Sequence, residues 1–243
     1  MPKLPTRAPL GPAGLLATTV VTAVLVVGLG AGGAGARPAS PKAQAKRELL
    51  ALADMPAGWS VEKGSSASTS NNFPGAKQLA RCIGVSSRLL SANPPGVNSP
   101  YFQNPGGSLE VQDSVSVFPS ARTARAEFTT MANARTPACM TTLMNGPFKA
   151  QLTAAAGSGA TVGTVTVTRA QSAGYGRGTS TMVMTLPITE QEVPITAKLA
   201  VVFYRRGRFV QQIEFNSYGV AFPASTAKAL TAAAIQRLQG HGR

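Results

Sequence analysis

Period-two alternation of apolar and polar residues organises the second half of the chain. Leu109, Val111, Val115 and Val117 alternate with Glu110, Gln112, Ser114 and Ser116, the pattern of a strand buried on one face. Asp113 interrupts the apolar face, so this strand needs either a bulge or a partner for the carboxylate. Four further strand patterns occupy residues 161–169, 179–188, 193–204 and 208–217. The connections 189–192 and 205–207 are short enough for hairpins, whereas 170–178 is a longer glycine-containing loop, so the four predict an antiparallel meander. Met182, Met184, Leu186 and Ile188 form one face of their strand, and Ile195, Ala197, Leu199, Val201 and Phe203 one face of theirs; both faces are assigned to the core.

Helical spacing appears at 45–54, through Leu49, Leu50 and Leu52, and at 76–90, through Leu79, Ile83 and Leu89 around Cys82. Ser120 predicts an N-cap for a helix running to about 134, with Ala124, Phe128 and Met131 inward. Thr136 and Pro137 open another helix that carries Cys139, and Pro147 restarts it through Ala156. A last helix over 224–239 places Ala229, Leu230, Ala233, Ile235 and Leu238 against the sheet. The stretches from Gly64 and from 93 to 107 read as loops by composition. The fold class is α+β: an antiparallel sheet of about five strands packed with helices.

The N-terminus sets the compartment in which such a domain would work. Lys3 and Arg7 precede an uncharged apolar run, Leu15 to Leu29, that closes on Ala34-Gly35-Ala36, the layout of an export signal. We therefore expect residues 1–36 to be a signal peptide, 37–44 a flexible lead, 45–240 a single domain and 241–243 a tail. The expected location is secreted or in the cell envelope, with an uncleaved membrane anchor as the alternative. In that compartment Cys82 and Cys139, the only cysteines, are expected to form one disulfide. Closing that loop stabilises the fold by about 4 kcal/mol on the chain-entropy model. A reactive thiol would instead need a nearby base, and a metal site more ligands than two cysteines and one histidine supply.

The chain carries a formal charge of +14, and removal of Lys3 and Arg7 leaves +12 on residues 37–243. Its basic residues are dispersed, with one cluster at Arg205, Arg206 and Arg208, and lack the interleaved aromatics that stack bases; nucleic acid is not an expected partner. Anionic lipid headgroups or wall polymers suit this charge better. His241, the only histidine, sits in a Gly-His-Gly-Arg tail, which removes triad chemistry and leaves hydrolysis to carboxylates or Lys, for example through Glu110 and Glu214. Gly174 to Gly178 lacks the Lys-Ser/Thr ending of a phosphate loop, and no catalytic, metal or cofactor site is expected. A candidate binding face is the polar side of the sheet: Gln212, Glu214 and Asn216 with Thr196, Lys198 and Tyr204 and with Glu110, Gln112 and Ser114, flanked by Arg205 and Arg206.

Ordered landmarks carry a family resemblance: Leu52-Ala53-Asp54-Met55-Pro56-Ala57-Gly58-Trp59-Ser60-Val61, Cys82, Ser114-Val115-Ser116-Val117-Phe118, Pro137-Ala138-Cys139, and the run Leu199 to Arg208. Together they resemble exported actinobacterial proteins, similar to the extracellular sensor domains of mycobacterial serine/threonine kinases and to small envelope lipoproteins with a PsbP-like α/β sandwich. The resemblance implies a non-catalytic binding or sensing module with a cleft beside the sheet. The expected function is thus an exported ligand-binding or sensor-like domain, monomeric, whose partner is an unidentified small molecule, lipid or envelope polymer. A basic protein that holds anionic lipid or wall polymer is the alternative, and a carboxylate hydrolase the remote one.

Overall fold

The computed structural model describes residues 39–65, 75–88, 94–170 and 178–240. The export segment, Leu89, Gly174 to Arg177 and the tail with His241 lie outside the described residues. Among the described residues the strands are β1 (Ser60–Val61), β2 (Gly96–Asn98), β3 (Phe102–Gln103), β4 (Leu109–Val117), β5 (Ala160–Val162), β6 (Thr166–Ala170), β7 (Thr179–Glu190), β8 (Val193–Arg206) and β9 (Phe209–Tyr218). They form one antiparallel sheet in the order β1-β3-β4-β9-β8-β7-β5, with β2 also on β4 and β6 also on β7. The helices are α1 (Pro41–Glu48), α2 (Ala76–Ile83), α3 (Ala121–Met131), α4 (Thr136–Asn145), α5 (Lys149–Ala155) and α6 (Ala224–Gly240). This is the α+β architecture that the periodicity predicts.

Helices cover both faces of the sheet. On one, Leu230 and Ala234 of α6 pack on Val111, Val202, Ile213 and Phe215, and Ala45 of α1 packs on Val115 and Val117. On the other, α2, α4 and α5 bury Leu79, Ile83, Leu143 and Phe148 against Val162, Val165, Met184 and Leu186. α3 seats Ala124 on Val210 and Phe118. Cys82 of α2 and Cys139 of α4 form a disulfide with a Cα–Cα distance of 5.8 Å. Trp59 packs at the edge of the first core, its ring centroid 6.2 Å from that of Phe222.

Several boundaries differ from the sequence expectation, each for a local reason. The first helix begins at Pro41 rather than at 45, inside the expected flexible lead, because Ser40 Oγ accepts from the Ala43 amide and Pro41 suits the first turn. It ends at Glu48, and only a 3₁₀ turn, Leu52–Asp54, follows. The expected loop at 93–107 contributes β2 and β3, which occupy the β4 edge that β9 leaves unpaired. The strand expected over 161–169 is two strands. Between them the Asn145 side chain takes both the N–H and the C=O of Val165, at 2.8 and 2.7 Å, in place of a sheet neighbour. α3 stops at Met131, where the Arg169 guanidinium binds the carbonyls of Ala132 and Asn133 at 2.6 and 2.8 Å. In α6 the sheet-facing residues include Thr231 and Ala234, while Ala229 is exposed.

Asp113 keeps its place in an unbroken ladder opposite Ile213, with no bulge. Its carboxylate is fully buried and accepts from the Leu50 amide at 2.8 Å and from Gln211 Nε2 at 3.0 and 3.1 Å. The polar intrusion in the β4 pattern is thus the point where the segment after α1 is fastened to the sheet.

Candidate ligand cleft

A cleft of about 490 Å³ lies between the sheet and the helices α2, α3 and α4. The antiparallel register builds its floor in rows across four strands. One row runs Gln112, Glu214, Val201, Met182; the next runs Glu110, Asn216, Leu199, Met184, of which Leu199 and Met184 line the cleft. A third runs Ser114, Gln212, Phe203. The first two rows pass from polar side chains on β4 and β9 to apolar ones on β8 and β7, and the third ends on Ser180 of β7 beyond Phe203. The roof adds Leu79 of α2, Glu127 and Met131 of α3, and Met140 and Met144 of α4. Five of the seven methionines of the chain line this space, giving it an unusually adaptable apolar wall.

The expected polar face is therefore corrected at Thr196, Lys198 and Tyr204. Gln212, Glu214 and Asn216 do share a face with Glu110, Gln112 and Ser114. Lys198 and Tyr204 are on the opposite one, since they pair with Ser217 and Gln211. Tyr204 is buried there against Ile235 and Leu238 of α6, and Thr196 follows the same parity. The reason is that the second half of β8 is covered on both sides, by α3 and by α6, while Thr196 and Lys198 stay exposed on the face away from the cleft. Its alternation in side-chain size and polarity does not mark inside and outside. Arg205 and Arg206 end β8 at the hairpin, where Arg205 Nη1 donates to Gly207 O at 3.3 Å, and neither lines the cleft. The neighbouring Arg208 binds Gln44 of α1 at 2.5 Å.

Electrostatically the cleft contrasts with the rest of the chain. None of its described lining residues is Lys or Arg, whereas Glu127 and Glu214 both reach it. Burial pushes the Glu127 carboxyl up to about 7, and its Oε2 is buried without a hydrogen-bond partner among the described residues. Burial also raises Glu214, partly offset by the amide it accepts from Gln212. Glu110, at the same end, is raised by burial and by the charge of Glu62, while Tyr218 Oη donates to it at 3.3 Å. Tyr101, on the cleft wall, is pushed up to about 12 by burial and then by Glu214, Glu110 and Glu62. Two carboxylates thus line one cavity of a strongly basic chain, with Glu110 and Glu62 close enough to act on Tyr101.

Glu127 and Tyr101 escaped the sequence reading. A glutamate on an amphipathic helix carries no local mark of facing inward, and Tyr101 lay in a segment read as loop. The pair Glu110 and Glu214 does share a face, but each sits opposite another residue, Asn216 and Gln112. A larger depression of about 730 Å³ beside α5 is an open surface feature lined by small residues such as Ala150, Ala154 and Gly157, and Lys149 is its only charged lining residue. Among the described residues no cluster of His, Cys, Asp or Glu has the grouping of a metal site, and no helix is long and apolar enough to cross a membrane.

No protein-family model matches the chain, and no curated protein matches it. Among solved structures it is similar to the extracellular domain of PknH from Mycobacterium tuberculosis, at 14% sequence identity and a TM-score of 0.49, over 85% of this chain and 100% of that one.

Proposed function

We propose that this chain is an exported, non-catalytic ligand-binding or sensor-like domain of the cell envelope, and that the cleft between the sheet and α2–α4 is where its ligand sits. The observation that carries this reading is the cleft itself. About 490 Å³ lies within the range of roughly 300–1,000 Å³ usual for small-molecule sites, and its wall is mainly apolar with a few converging polar groups. The export pattern at 1–36 supplies the compartment. Native mass spectrometry of the protein purified under gentle conditions tests it: a retained adduct, lost when Val201→Trp fills the floor, is the expected result. A protein that retains nothing and shows no thermal shift against a broad small-molecule panel refutes it.

Hydrolysis by carboxylates is the second reading, because Glu127 and Glu214 do enter one cavity. A glycosidase pair needs one carboxyl held up and one left ionised. Here burial raises both, which favours binding over catalysis. Turnover of a glycoside that disappears in Glu214→Gln would reverse this preference.

A further inference from the structure

We infer that the ligand of this cleft is a small organic cation: an amine or quaternary ammonium group on an apolar body. The inference rests on the reading of the cleft as a ligand site and adds the chemistry that the site selects.

Glu127 comes from the helical roof and Glu214 from the strand floor, so two carboxylates approach the cavity from different elements. No described lining residue is a Lys or Arg that could neutralise them. That absence is telling in a chain with 23 basic and nine acidic residues, where a random lining would be basic. Gln212 accounts for one oxygen of Glu214, but Oε2 of Glu127 is buried without a partner among the described residues. An unpaired buried carboxylate destabilises the empty protein, and a bound cation removes that cost by pairing with it. Tyr101, Phe118 and Phe203 also line the space, and aromatic faces attract organic cations while repelling anions. Methionines on β7 and α4 supply a deformable wall for the apolar body.

The same arrangement excludes the ligand that the overall charge would suggest. An anionic lipid or fatty acid is drawn to the exterior by the net charge of +14 but meets only like charge among the described residues of the cleft. The outer field raises the local concentration of anions, and the cleft rejects them.

Isothermal titration of the purified protein with decyltrimethylammonium, decanol and decanoate, each below its aggregation concentration, separates the possibilities. The expected result is that the ammonium binds at least about tenfold more tightly than decanoate, as one desolvated charge pair provides. Glu127→Gln combined with Glu214→Gln should erase that preference. Decanol binding with no preference for the ammonium over decanoate overturns the cation assignment while leaving the cleft as a ligand site. Preference for the ammonium that survives the double substitution places the cation elsewhere and also overturns it. Failure of all three probes to bind removes the cleft reading together with the inference.

Discussion

Replacing Asp113 tests how the buried carboxylate couples stability to pH. Asp113 is fully buried, and burial pushes its carboxyl from an ordinary 3.8 up to about 7, despite the hydrogen bonds it accepts from Leu50 and Gln211. The folded protein holds this proton more tightly than the unfolded chain, so the resulting stability is complete below 3.8 and is lost as pH rises through about 7. Between about pH 5 and about pH 8 the loss is on the order of 3 kcal/mol from this group. Asp113→Asn removes that dependence. Its oxygen still accepts from Leu50, and its amide nitrogen finds an acceptor if Gln211 turns over, because Gln211 Oε1 is buried without a partner among the described residues. Asp113→Ala instead leaves the Leu50 amide and Gln211 Nε2 without an acceptor, which costs about 2–5 kcal/mol relative to Asp113→Asn at both pH values. Urea unfolding of wild type and both variants at the two pH values measures this. Glu127, Glu110 and Glu214 also shift upward and contribute slopes of the same sign, but they are common to all three proteins. The reasoning is refuted if wild type and Asp113→Asn lose stability in parallel between the two pH values.

Four further outcomes are expected. Reducing Cys82–Cys139, which closes a separation of 57 residues, should destabilise by about 4 kcal/mol and lower the melting temperature by roughly 10 °C in calorimetry. Glu127→Gln should stabilise the empty protein by about 1–2 kcal/mol at alkaline pH and progressively less as pH falls through about 7, seen as a pH-dependent rise in melting temperature. Arg237→Met should cost about 1–2 kcal/mol in urea unfolding, because Arg237 joins α6 to the carboxylate of Asp54 at 2.6 Å and to the Leu49 carbonyl at 2.7 Å. Glu192→Gly should stabilise by roughly 0.5–1 kcal/mol, since Glu192 holds a left-handed φ of 68° in the β7–β8 turn; an unchanged melting temperature would contradict that.

What was legible in the chain were properties that depend on near neighbours in sequence. The alternation of Leu109 to Val117 defines two faces of β4, and Met182 to Ile188 and Ile195 to Phe203 do lie on one common side of the sheet, as the β7–β8 register shows. Ser120 caps its helix, accepting from the Thr123 amide at 3.1 Å, for reasons contained within four residues. Asp113 announced a need for partners that the ladder alone could not meet. Which strand faces lie on the same side was not legible. The polar side of β9 and the apolar side of β8 share a face only because Glu214 pairs with Val201 and Gln212 with Phe203. That parity is decided by the β8–β9 hairpin, and a shift of one residue would reverse it. Likewise, Glu127 enters the cleft because α3 crosses β8 and β9, not because its sequence neighbours differ from those of a surface glutamate. Periodicity sets the faces of each element through backbone geometry; the amphipathic cleft exists only once long-range pairing stacks those faces together.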